Sequence, residues 1–132
     1  YLSCQWALSY YSVIPEMTVT YTSVTTRMTK KYENVLGSFH YSHLKKDFYW
    51  GYEVKKIEGV SVRIAEPEKA LLDYFHLFSG EWTEDRLLET RIETDTLDMN
   101  KLKKYVERWN SPRLIRAVNR LMDFGKTKGT KL

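Results

Sequence analysis

The sequence predicts an α+β fold: a mostly antiparallel sheet of about four strands packed with helices and ending in two basic amphipathic helices. Three observations carry this. Between residues 17 and 64, short β-branched and aromatic runs alternate and are separated by turn signals. Residues 64–78 then join the last strand to an almost wholly apolar helix. After residue 80, apolar side chains recur every three or four positions behind capping residues. The chain has 132 residues, 42% of them hydrophobic, which is enough for one domain, residues 1–132, with its own core.

Ser3 caps a first helix running to about Tyr11, in which Leu2, Trp6 and Tyr10 recur four apart; residues 12–15 end it. Residues 17–25 form a strand with Val19 and Tyr21 on one face and threonines on the other, and the alternation slips at Ser23-Val24, where a bulge or strand end fits. Residues 27–33 read as a charged connection. A second strand covers residues 38–44, with Phe39 and Tyr41 on one face, and a third covers 48–54, with Phe48, Trp50, Tyr52 and Val54 pointing one way. Glu58-Gly59 turns the chain into a fourth strand, in which Val60, Val62 and Ile64 alternate with Ser61 and Arg63.

Pro67 suits the first position of the next helix, because its φ is already helical and its missing N–H would have had no partner there. Lys69, Asp73 and His76, with Glu66 before them, fall on one line of this helix. That line reads either as a ligand-binding row or as the single wetted edge of a core helix carrying a Lys69–Asp73 pair, and the second reading is preferred. Thr83 caps a helix ending near Ile92, residues 93–98 connect, and Asp98 or Asn100 caps a helix over residues 101–110. Ser111-Pro112 starts a final helix running to about Phe124 with Gly125 as its stop, and residues 126–131, which lack apolar side chains, read as a loose tail.

No apolar run approaches the roughly 18 residues of a membrane span and no signal sequence opens the chain, so a soluble, cytoplasmic protein is expected. The lone Cys4 excludes an intrachain disulfide and a multi-cysteine zinc site. Tyr1-Leu2 reads like the interior of a longer protein. The net charge of +4 is uneven: residues 1–100 carry 11 basic against 15 acidic side chains, and residues 101–132 carry 10 against 2. This asymmetry points to an anionic partner.

The last two helices hold the clearest candidate binding residues. Leu102, Tyr105, Val106 and Trp109 form a packing face on the first, while Lys101, Lys104 and Arg108 line another side at spacings of three and four. Arg113, Arg116 and Arg120 repeat the scheme on the second. With few acidic neighbours in sequence, the two stripes suit a phosphate backbone or an acidic protein surface, or else form an ordinary solvated face. Asp47 with Glu53 and Lys55 has the order of a metal-dependent nuclease site, although strand charges of this kind are usually only solvated. His40 and His43, three apart in a strand, point to opposite faces and cannot share a metal. No glycine-rich phosphate loop or catalytic constellation stands out, so neither catalytic residues nor a cofactor or metal are assigned. The aromatic strands could stack bases, but alternating aromatics more often face a core.

Four segments carry a family resemblance: Leu2-Ser3 with Ala7-Leu8-Ser9-Tyr10-Tyr11 and Ile14-Pro15-Glu16; Thr22-Ser23-Val24-Thr25; Gly37-Ser38-Phe39-His40-Tyr41; and Ile64-Ala65-Glu66-Pro67-Glu68-Lys69-Ala70-Leu71-Leu72-Asp73. In this order they resemble the C-terminal domain of the AbiEi family, the antitoxin and transcriptional regulator of bacterial type IV toxin–antitoxin (abortive infection) systems. The resemblance covers roughly the first 80 residues, and Pro-Glu-Lys-Ala-Leu-Leu-Asp is its most specific part. It implies a non-enzymatic domain, normally preceded by a winged helix that binds promoter DNA, which opposes a cognate nucleotidyltransferase-like toxin directly or indirectly. Ser12 stands where the family has a glycine, in the turn Tyr-Tyr-Gly-Leu-Ile, and Glu66 where a shorter capping residue is usual. A metal-dependent nuclease and a plain protein-interaction module are the other readings.

Overall fold

A computed structural model describes residues 1–130 of the chain, with side chains described through residue 124. Among the described residues the architecture is α+β, with five α-helices and five strands. The helices are α1 (Cys4–Tyr10), α2 (Pro67–Leu77), α3 (Glu84–Thr90), α4 (Met99–Trp109) and α5 (Pro112–Thr130). The strands are β1 (Thr20–Thr25), β2 (Lys30–Asn34), β3 (Gly37–His43), β4 (Tyr52–Ile57) and β5 (Val60–Ala65).

The strands form a three-stranded sheet of order β1-β3-β2 and a β4-β5 hairpin, in place of the expected meander of about four. β1 and β3 are parallel, since the chain crosses to β2 on the far edge before returning along β3. Residues 1–3 join the two sheets. Leu2 donates its N–H to Arg63 and accepts from Ala65 on β5, while Tyr1 and Ser3 bond Val24 and Thr22 on β1.

Three sequence-based strand assignments need correction. The connection at residues 27–33 contains β2, whose five residues are all exposed, so no alternation of burial marked it. The strand expected over residues 48–54 starts only at Tyr52, because residues 46–48 form a 3₁₀ turn and Gly51 takes φ +78°. β1 begins only at Thr20 and keeps register through Ser23↔Tyr41 and Val24↔Ser42, so of the expected bulge or strand end it is the end, at Thr25, that the chain adopts. The Glu58-Gly59 turn is as expected, with positive φ at both residues, as a two-residue hairpin loop of this hand requires.

α2 is the central helix. It packs against α1, α4, α5 and β5, and Ala70, Leu71, Leu72 and Phe75 are fully buried. Each of the larger three contributes about 1.5–3 kcal/mol through burial. α4 and α5 bury Leu102, Val106 and Trp109, and Leu114, Ala117, Val118 and Leu121. α4 is capped by Asp98, which accepts from the Lys101 N–H at 3.1 Å, and ends at Asn110 in the left-handed region. α5 does not stop at Gly125 but continues to Thr130; the end of the expected loose tail, residues 131 and 132, lies outside the described residues.

α1 ends in a turn in which Val13 donates to Leu8 and Ser12 to Ser9, with Ser12 at φ +61°. This is the position that glycine fills most readily, because a Cβ there crowds the following carbonyl. Ser12→Gly is therefore expected to stabilise the protein by about 0.5–1 kcal/mol, read as a rise in urea midpoint. A fall in midpoint would contradict this account of the turn.

Candidate functional site

The polar line of α2 is not a wetted edge. Lys69 and Asp73 are both wholly buried and joined at 2.6 Å. Asp73 also accepts from the hydroxyls of Ser3 at 2.7 Å and Tyr1 at 2.8 Å. The Lys69 ammonium donates to the Tyr1 hydroxyl at 2.8 Å and the Phe48 carbonyl at 2.7 Å, and lies over the rings of Trp50 at 4.8 Å and Trp109 at 4.7 Å. Burial pushes the Asp73 carboxyl up and the Lys69 ammonium down, and their attraction opposes both shifts. Gly51 belongs to this arrangement: a Cβ there would stand 2.7 Å from Lys69 Cγ. The first part of the strand expected at residues 48–54 is thus an aromatic lining, with the rings of Phe48 and Trp50 against Trp109 and Trp50 under the Lys69 ammonium.

The other members of the line go elsewhere. Glu66 accepts from Lys101 at 2.5 Å and from the Tyr105 hydroxyl at 2.6 Å, tying the start of α2 to α4. Burial raises the Glu66 pKa, but these two hydrogen bonds outweigh it and hold the carboxyl below its usual range. Glu68 is buried and accepts from the Asp98 N–H at 3.0 Å. His76 lies against Phe48 and Trp109, and burial, followed by the nearby Arg113, lowers its pKa.

The six candidate binding residues fall into two groups. Lys101 is paired with Glu66, whereas Lys104 is exposed and Arg108 stacks over Trp50 at 4.1 Å. On α5, Arg113 donates to the carbonyls of Phe75 at 2.9 Å, His76 at 2.9 Å and Gly80 at 2.8 Å, which satisfies the C-terminal end of α2. Arg116 makes a two-pronged contact with Glu81 at 2.8 and 2.9 Å, and Arg120 reaches the same carboxylate at 2.8 Å. Lys101, Arg116 and Arg120 are thus paired with Glu66 and Glu81, acids 35 or more positions away in sequence. Sequence spacing within a helix could not reveal these partners.

The nuclease-like residues stand apart from such an arrangement. Asp47 lies in the exposed 3₁₀ turn, and Glu53 and Lys55 form an exposed ion pair at 3.2 Å on β4. Among the described residues no three His, Cys, Asp or Glu side chains are grouped to hold a metal ion, and no helix is long and apolar enough to cross a membrane.

Two outcomes follow. Asp73→Ala leaves the Lys69 charge buried and unpaired, and is expected to cost about 3–5 kcal/mol in urea denaturation. Lys69→Met combined with Asp73→Leu is expected to lose less; a double variant as unstable as the single one would overturn this view of the pair. Glu81 is held at about 2 by hydrogen bonds from Arg116 and then Arg120, below its ordinary value of 4.5. Its stabilising contribution is complete above pH 4.5 and fades as pH falls toward 2. Thermal melts should therefore separate the parent from Glu81→Gln at pH 7 and bring them together near pH 2. A gap that persists unchanged at pH 2 would rule this out.

The chain matches no family model, no curated protein and no solved structure.

Proposed function

We propose that residues 1–132 are the antitoxin domain of an AbiEi-type transcriptional regulator, a cytoplasmic protein that represses its own operon and opposes a nucleotidyltransferase-like toxin without performing catalysis. The supporting observation is where the four segments of the resemblance lie. Ser3 bonds Thr22 through its backbone and Asp73 through its hydroxyl; Leu2 bridges Ser23 and Ile64; and β1 runs in register with β3. These segments are separated in sequence, yet they form one hydrogen-bonded unit around the Lys69–Asp73 pair. A motif under such a constraint is expected to keep its residue types. The left-handed φ at Ser12, where the family has glycine, agrees with the same reading.

In this reading the acting surface is the outer side of α4, where Lys104 and Arg108 face solvent without a carboxylate partner among the described residues. Arg113 serves the fold instead, and Arg116 and Arg120 share Glu81. Promoter DNA is contacted mainly by a winged helix preceding Tyr1, and this domain adds the α4 charges.

The test is growth of bacteria in which the complete gene product and the adjacent toxin gene are induced separately. Rescue by the parent and a loss of rescue of at least about tenfold in Lys104→Glu with Arg108→Glu are expected, with thermal stability retained. Full rescue by the double variant would remove α4 from the mechanism. No rescue and no operator binding by the parent would overturn the antitoxin reading itself.

A further inference from the structure

The aromatic side chains of β1, β2 and β3 do not face the core. Tyr21 of β1, Phe39 of β3 and Tyr32 of β2 are register partners in adjacent strands and so share one sheet face. Tyr21 and Phe39 stack at 5.0 Å, Trp6 of α1 stacks on Tyr21 at 5.7 Å, and Tyr10 stacks on Trp6 at 5.6 Å. Tyr41 stands edge-on to Tyr32 at 5.5 Å. Tyr21, Tyr32, Phe39 and Tyr41 are absent from the packing around the buried core, and the ends of the row, Tyr10 and Tyr32, are 44% and 42% exposed.

The charged side chains around these rings are mostly basic. The non-aromatic side chains on this face are Ser23, Thr25, Lys30, Asn34 and His43, none of them a carboxylate. Lys30 lies over the Tyr32 ring at 5.0 Å. Between residues 16 and 47 the exposed charges are Arg27, Lys30, Lys31, Lys45 and Lys46 against Glu16, Glu33 and Asp47. Dividing the chain at residue 100 hid this basic region inside an acidic average.

We propose that this face of the β1-β3-β2 sheet binds single-stranded RNA, with bases stacking on the exposed rings at the ends of the row, Tyr10 and Tyr32, and phosphates held by Lys30 and its basic neighbours. Unpaired bases offer flat faces to aromatic rings, whereas the bases of a duplex are already stacked and cannot reach them. The hydroxyls of Tyr21, Tyr32, Tyr41 and Ser23 provide donors and acceptors for a ribose 2′-OH, which DNA lacks. This inference is independent of the antitoxin reading and uses a different surface from α4.

The test is fluorescence anisotropy of a labelled, mixed-sequence, single-stranded RNA 12-mer titrated with the full chain, alongside DNA of the same sequence and both duplexes. Saturable binding to single-stranded RNA is expected, with quenching of tryptophan emission and weakening in higher salt. Tyr32→Ala with Tyr41→Ala should weaken it at least about tenfold, and Lys30→Glu, which removes no ring, should weaken it too. Tyr32→Phe, which keeps the ring and removes one hydroxyl, should still bind but with less preference for RNA over DNA, and the α4 variant Lys104→Glu with Arg108→Glu should bind like the parent. Absence of binding, equal affinity for single-stranded DNA or for duplex, or loss in the α4 variant with retention in the tyrosine variant would each overturn the proposal.

Discussion

The buried Lys69–Asp73 pair is the interaction on which the rest of this structure depends. Removing two charges from water costs several kcal/mol each, and their attraction offsets this only when the remaining donors and acceptors are also satisfied. Those requirements determine the surroundings. Asp73 needs the hydroxyls of Tyr1 and Ser3, so the first three residues must lie between β1 and β5. Lys69 needs the Phe48 carbonyl and the electron-rich faces of Trp50 and Trp109, so residues 46–51 must turn rather than run as a strand. Gly51 follows from the same constraint, because a side chain there would collide with Lys69.

Charge elsewhere in the helical half serves the same end. Arg113 closes the carbonyl end of α2, and Glu66 at its opposite end reaches α4. Glu81 gathers two arginines of α5. An amphipathic helix with a basic side resembles a binding surface in sequence whether its cations face solvent or bond the main chain of a neighbour. The difference lies in long-range geometry. Of the six candidate residues, Lys104 and Arg108 are exposed without a carboxylate partner among the described residues, while Arg113 bonds the main chain at the end of α2.

The fold was legible wherever one residue type is required by local chemistry. Pro67 at the start of α2, Thr83 and Asp98 as caps and Glu58-Gly59 as a hairpin turn all stand where the sequence places them. It was illegible where the usual coupling of polarity and exposure fails. β2 is a strand with every residue exposed, so it reads as a loop. Lys69 and Asp73 are charged residues with no exposure, so they read as a surface. Phe48 and Trp50 alternate like a strand, yet both rings pack against Trp109 beside the buried ammonium. The candidate cations were found by spacing, but the partners of Lys101, Arg113, Arg116 and Arg120 lie in other elements, beyond the reach of spacing.

The aromatic sheet follows from the same division of labour. The core is closed by α2, the N-terminal residues and the packing faces of α4 and α5, and it takes from the three-stranded sheet one fully buried side chain, Val24. Tyr21, Tyr32, Phe39 and Tyr41 are thus not needed to shield the core. Cross-strand aromatic pairs contribute about 0.2–1 kcal/mol each, which stabilises a small sheet but does not require tyrosine with its hydroxyl at three of four positions. Nor does it require lysine and arginine to outnumber acids around the rings. A surface with aromatic faces, phenol hydroxyls and uncompensated cations has the chemistry of a stacking platform for an anionic, unpaired strand, and the fold leaves that surface open.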